Sequence, residues 1–370
     1  MILNRFTKQL LIFMSFSLIV SGYSWASDAQ IADPDFVPTV TNPTFEAGQG
    51  PVVAIDEAHN NFHTKDGRFQ TFAQLLTNDG YQVIISTEDF SAQSLASIDI
   101  LVIANAQHSD NVGYTNWRGV IKPAFDNSEI DALETWVKGG GSLMLMADHY
   151  PFPKAAEALG KRFGFLFSNG YCFRKDCPLL IGQPDPEHNM IKFKTEDKTL
   201  ANSPIVNGPK PITQVVTFTG QAFWLMPESN AIELMILRDG TLSLYPTVAD
   251  GFTLTTPVLN NAGMLQGATL ELEKGRIAVF GEAGMFSAQL SATTPVFKQG
   301  MNNAEASQNL QFTLNTIHWL SMKDDDGDGV TNDKDKCPYT MFGDPVDSDG
   351  CMFVQLEEED STCFIHALNF

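Results

Sequence analysis

Four short runs constrain this 370-residue chain more than any other feature. Residues 51–55, 82–86, 98–104 and 142–147 are mostly apolar, short enough for strands, and helical patterns separate them. Between the first two, Phe69, Phe72, Leu75 and Leu76 fall on one face of a helix expected over 69–78. A Ser-rich helical turn precedes the third run. A second helix is expected over 128–138, capped by Asn127 or Ser128 and stopped by Gly139, Gly140 and Gly141. Strands that are apolar at nearly every position need burial on both faces, and helical crossovers make them parallel. The expectation is an α/β domain over 51–322, with a parallel sheet flanked by helices. Between about 160 and 270 the pattern changes. Segments such as 232–237 and 241–244, joined by Arg238, Asp239 and Gly240, read as hairpin-like, β-rich insertions. Residues 275–282 return to the buried-strand pattern, and a last helix is expected over about 304–320.

The first 26 residues point to export. Arg5 and Lys8 precede an apolar stretch over 9–20, and Ser24-Trp25-Ala26 offers a small-x-small cleavage site. That stretch is short for a bilayer, which needs about 20 residues. No Cys follows the cleavage site to carry a lipid, and there is no second apolar segment long enough to cross a membrane. The expectation is a secreted protein, periplasmic or at the outer cell surface, in an oxidising and calcium-rich space. Residues 27–50, rich in Pro, Asp, Asn and Gly, read as an extended leader. The net charge of −21 disfavours nucleic acid and anionic lipid as partners. Cys172 and Cys177 have four residues between them rather than the two of a redox or zinc motif, and are read as a local disulfide.

A calcium loop runs over 324–335. With Asp324 as position 1, Asp326 is 3, Asp328 is 5, Gly329 is 6, Val330 is 7, Asn332 is 9 and Asp335 is 12. Ca²⁺ takes six to eight oxygens, and this spacing supplies them around a turn that Gly329 allows, with the Val330 carbonyl as one ligand. Asp at position 12 has a shorter reach than the usual Glu. Lys336-Cys337-Pro338, Gly343 and Val346-Asp347-Ser348-Asp349-Gly350-Cys351 follow. Together these residues resemble the thrombospondin type 3 repeat over about 323–351. The resemblance implies a Cys337–Cys351 disulfide and a second, incomplete calcium loop at Asp347 and Asp349, and it leaves Cys363 over. With so little apolar sequence, the segment depends on calcium for order. Residues 352–370, with Glu357, Glu358, Glu359 and Asp360, form an acidic tail.

A second set of pieces covers most of 50–322: Asp56-Glu57-Ala58-His59 after the first strand, Gly139-Gly140-Gly141-Ser142-Leu143, Val216-Thr217-Phe218-Thr219-Gly220, Val279-Phe280-Gly281-Glu282, and Asn315 to Leu320 ending the last helix. Their order resembles an uncharacterised branch of the class I glutamine-amidotransferase-like fold, a flavodoxin-like sheet. That family's nucleophilic Cys and downstream His-x-Glu are both missing, since no Cys precedes Cys172 and no His-x-Glu occurs. Glutamine hydrolysis by that route is not expected.

Open parallel sheets bind ligands beyond the carboxyl ends of their strands. Asp56, Glu57, His59, Asn60 and His63 follow the first strand, His108 the third, Asp148 and His149 the fourth, and Glu282 the last. Asp56, His59, Asp148, His149 and Glu282 are the candidate catalytic residues, with Asp148 or Glu282 as base and His149 as acid. His59, His63, His108 and His149 are a candidate transition-metal set. Each has a bland alternative as a cap or a loop tie. Tyr114, Asn116, Trp117 and Arg118 form an aromatic loop suited to stacking on a carbohydrate or to shielding the crevice. His188 reads as a loop residue, and His318 and Trp319 as core. Two functions therefore compete with a purely structural envelope role: a calcium-binding protein whose domain holds a ligand or an envelope partner, and a metal-dependent or acid–base hydrolase.

Overall fold

The computed structural model describes residues 30–113, 119–176, 190–208, 210–248, 251–291 and 296–321, then 330, 335–337, 340 and 344–352. The expected export signal, the loop 114–118, Cys177, His188, Cys363, the tail from residue 353 on, and Asp324, Asp326, Asp328 and Asn332 lie outside the described residues.

In chain order the first elements are β1 (Gln30–Ala32), β2 (Val52–Asp56), α1 (Gln70–Asn78), β3 (Gln82–Ser86), β4 (Ile100–Ala104), α2 (Asn127–Lys138) and β5 (Ser142–Met146). The short helices α3 (Phe152–Ala155) and α4 (Glu157–Arg162) follow. Next come β6 (Phe165–Phe167), β7 (Tyr171–Arg174), β8 (Met190–Lys194), β9 (Gln214–Phe218), β10 (Phe223–Leu225), β11 (Ile232–Ile236), β12 (Thr241–Leu244) and β13 (Val258–Asn260). The last are β14 (Leu265–Leu272), β15 (Gly275–Phe280), β16 (Ala288–Ser291), β17 (Lys298–Gly300) and α5 (Asn309–Ser321).

The main sheet is mixed. Its order is β3-β2-β4-β5-β15-β14-β10-β6, with β11 also paired to β14. The first five strands run parallel. From β14 onward the pairing is antiparallel, so the middle of the chain lengthens the sheet at one side. Pleating sorts the apolar runs onto two faces. Val53, Ile55, Ile100, Val102, Met144, Met146 and Phe280 pack with α1 and α5 residues such as Phe72, Leu76, Phe312 and Ile317. Ala54, Leu101, Ile103, Leu143, Leu145, Ile277 and Val279 pack with Ile130, Leu133 and Val137 of α2. Each large side chain so buried contributes about 1.5–3 kcal/mol. At the outer edge the rule lapses, because Ile84 and Ile85 of β3 are exposed.

Four expectations change. The cap of α2 is Asp126, one residue before the expected pair, and with Glu129 it forms a reciprocal capping box. The 232–244 segment is not a hairpin: β11 pairs with β14, and β12 with β13 and β7. The eight-residue β14 offers β11 a longer partner than β12 could, and the chain changes sheets at Gly240. The last helix begins at Asn309 because Gln308 and Asn309 use their side chains to bind backbone groups of Thr213, Gln214 and Val216. Finally, Cys172 is a free, buried thiol on β7 rather than half of a bridge to Cys177. Its inward position leaves its sulfur 3.1 Å from Asn261 Nδ2, and burial pushes its pKa up to about 12.

The described residues before β2, from Gln30 on, are docked on the domain. β1 pairs with β16, and Phe36, Val40 and Phe45 pack on the core. His318 is a tie more than a core filler, with Nε2 2.6 Å from Asp79 Oδ2 and 2.9 Å from Thr44 Oγ1. At the C-terminal end Cys337 and Cys351 form a disulfide. Asp347 Oδ1 accepts the N–H groups of Asp349 and Cys351, and Asp335 Oδ1 that of Cys337. Among the described residues no helix is long and apolar enough to cross a membrane.

Candidate functional site

The polar residues at the strand ends separate into two clusters. The first is built on the end of β2. Asp56 is fully buried, and both of its oxygens lie 2.9 Å from His59 Nδ1. His59 Nε2 lies 2.8 Å from Glu129 Oε1. Glu129 is held there because its Oε2 accepts the Asp126 N–H and its Oε1 the Phe90 N–H. Phe90 and Phe125 flank the imidazole with centroids at 4.6 and 4.7 Å. Burial opposes the charged ring, but Asp56 and Glu129 outweigh it, so the His59 pKa is raised. Glu129 had a legible signal in Asp126-Asn127-Ser128-Glu129, a capping-box spacing, though nothing tied it to His59, 70 residues away.

The second cluster joins the ends of β4, β5 and β15. Asn105 follows β4 with φ of +59°, a left-handed position that Asn tolerates better than most residues. Its Oδ1 accepts the Asp148 N–H at 2.8 Å, and its Nδ2 lies 3.2 Å from His63 Nδ1. Asp148 Oδ1 accepts the His149 N–H, and its Oδ2 the Ala283 N–H at 3.5 Å. Glu282 Oε1 accepts the Gly284 N–H at 2.6 Å, and Oε2 that of Met285 at 2.8 Å. Gly220 makes room for it: at φ of +69°, a Cβ there would stand 2.3 Å from the Gly281 carbonyl and 2.7 Å from Glu282 Cβ.

Asp148 and Glu282 are both almost inaccessible. Burial, and then the Asp148 charge, push the Glu282 pKa well above the usual carboxylate value. Burial also raises that of Asp148, against the opposing pull of His149 and backbone donors. Each of these carboxyls therefore keeps its proton to a higher pH than an exposed carboxylate would. Burial, Arg68 and His149 lower the His63 pKa to about 3, so His63 is neutral. His63 Nε2 faces Gln289 Nε2 at 3.3 Å. His149 stacks on Tyr171 at 4.1 Å, and its Nδ1 lies 3.0 Å from the Tyr150 carbonyl oxygen.

The four histidines proposed as one metal set are therefore divided. His59 belongs to the first cluster, and His63 and His149 to the second. His108 is half-buried and caps the turn Ser109–Asn111 by accepting the Asp110 N–H. Glu57, on the same loop as His59, accepts the Lys65 N–H. Among the described residues, the imidazole and carboxylate atoms close enough to share an ion are those of His59, Asp89 and Glu129. Sequence reasoning missed Asp89, Asn105, Glu129 and Gln289. Neither cluster lines the open groove of about 460 Å³ bounded by Arg174, Met190, Lys192, Phe297, Lys298 and Glu305.

No protein-family model matches this sequence, and no curated protein does. Among solved structures, the chain is similar to the N-terminal domain of IFT52, with a TM-score of 0.51 at 12% identity over 73% of this chain and 97% of that one. A ThuA-like protein from Bacteroides uniformis gives a TM-score of 0.38 at 13% identity, over 77% and 94% of the two chains. One from Parabacteroides merdae gives 0.36 at 12%, over 74% and 90%. At such identities the likeness to the IFT52 domain is one of fold.

Proposed function

We propose that this is an exported calcium-binding protein of the cell envelope, whose α/β domain has an amidotransferase-like sheet, does not hydrolyse glutamine, and holds a ligand or a protein partner. The observation that carries this reading is the turn after β5. There Ala147 leads into Asp148 and His149, with no thiol where an amidotransferase nucleophile would stand. Cys172, on β7, is buried and protonated. Around that turn, Glu282 holds backbone donors with both oxygens and His149 lies flat on Tyr171. Such groups position loops. Calcium binding is supported by the spacing over 324–335 and by the disulfide that closes the following segment.

One observation favours the alternative, an acid–base hydrolase. Asp148 and Glu282 are paired carboxyls with raised pKa values at the ends of adjacent parallel strands. The test is incubation of the purified mature chain with glutamine and with a panel of small esters and amides. No release of ammonia or product above buffer is the expected result. Turnover that disappears in Asp148→Asn and His149→Gln would overturn the binding reading in favour of hydrolysis.

A further inference from the structure

Asp89 sits in the loop after β3, and its carboxylate makes no hydrogen bond or ion pair with any described residue. It is nevertheless aimed at the His59 cluster: one ligand atom from each of His59, Asp89 and Glu129 lies within 4.8 Å of the other two. With Asp56 on the far nitrogen, three carboxylates surround a single imidazole, and no lysine or arginine among the described residues pairs with Asp56, Asp89 or Glu129. Even a charged imidazolium leaves this cluster negative, in a chain whose net charge is already −21. Like charges so placed repel unless a cation lies between them.

The donor arrangement suits such a cation. Asp56 accepts from His59 Nδ1, as outer carboxylates do for metal-binding histidines, and leaves Nε2 facing Glu129, where a metal ion would take the place of the Nε2 proton. The capping box holds Glu129 by Oε2, while Oε1, which also accepts the Phe90 N–H, faces His59. Phe90 and Phe125 shield the imidazole, while exposed Asp89 keeps a path to solvent. One imidazole and two carboxylates match zinc or manganese better than calcium, which prefers oxygen alone.

We propose that His59, Asp89 and Glu129 bind one divalent transition-metal ion, with Asp56 orienting the imidazole and a fourth position open to water or a ligand. The ion ties the loops after β2 and β3 to the start of α2, independently of whatever the rest of the domain binds. In the test, the mature chain, stripped by chelator and held in excess calcium to occupy the C-terminal loop, is equilibrated with zinc and, separately, with cobalt. One equivalent of zinc and a visible cobalt absorption band are expected. Asp89→Asn, an exposed change that leaves the core alone, weakens zinc about tenfold or more and removes the band. Glu129→Gln does the same, and His108→Gln changes neither. Failure of the wild-type chain to bind zinc or cobalt overturns the site, as does binding that Asp89→Asn leaves intact. Should Glu129→Gln unfold, Asp89→Asn decides alone.

Discussion

Glu282→Gln separates the charge of this residue from its role as a backbone acceptor. In the folded chain its pKa is raised well above the ordinary value by burial and by Asp148. In the unfolded chain it returns to about 4.3. Between those two values the folded state keeps a proton that the unfolded state releases, so stability present at low pH is lost as pH rises. The slope is about 1.4 kcal/mol per pH unit over the range in which the folded state alone holds the proton. Gln carries no such proton. It does place an amide N–H against the N–H of Gly284 or Met285, at a pH-independent cost of roughly 1–3 kcal/mol. The readout is therefore the slope and not the offset. Urea denaturation followed by fluorescence, at fixed calcium and ionic strength, should show the variant gaining on wild type as pH rises. A difference that stays flat, or that moves against the variant, would mean that Glu282 is ionised in the folded protein and that burial beside Asp148 does not raise its pKa.

Cys172 should resist thiol reagents in the native protein and react only on unfolding, as peptide mass mapping after timed labelling would show; fast native labelling would contradict its burial. Gly220→Ala should lower stability by roughly 2–5 kcal/mol, from strain at positive φ and overlap with the Gly281 carbonyl, measured by denaturant titration. Phe280→Ala removes a fully buried ring set 4.8 Å from Phe286, and should cost about 3–5 kcal/mol by the same assay.

The parallel strands were legible because a strand buried on both faces has no polar alternation to hide it. Phe69, Phe72, Leu75 and Leu76 read as a buried face for the same reason, and all four are fully buried. What sequence reading lost was pairing and reach. Nothing local told β11 to prefer β14 to its neighbour β12, since the choice depends on an edge that forms some thirty residues later. The α2 cap moved to Asp126 because that side chain, and not those of Asn127 or Ser128, reaches the N–H of Glu129. The Asp56–His59 contact was within reach of inspection at three residues' separation. Glu129, Asp89 and Gln289 were not, because each arrives from a distant segment, and an uncharged amide such as Asn105 or Gln289 carries no signal until its neighbours are placed.

Calcium-dependent proteolysis of the mature chain addresses the functional proposal most directly. In millimolar calcium the segment after residue 322 should survive protease. With chelator, or in the Asp326→Ala, Asp328→Ala double variant at any calcium level, cleavage should release a stable fragment ending near Ser321, the last residue of α5. Equal protection with and without calcium, or protection that survives the double variant, would contradict calcium as what orders the C-terminal repeat.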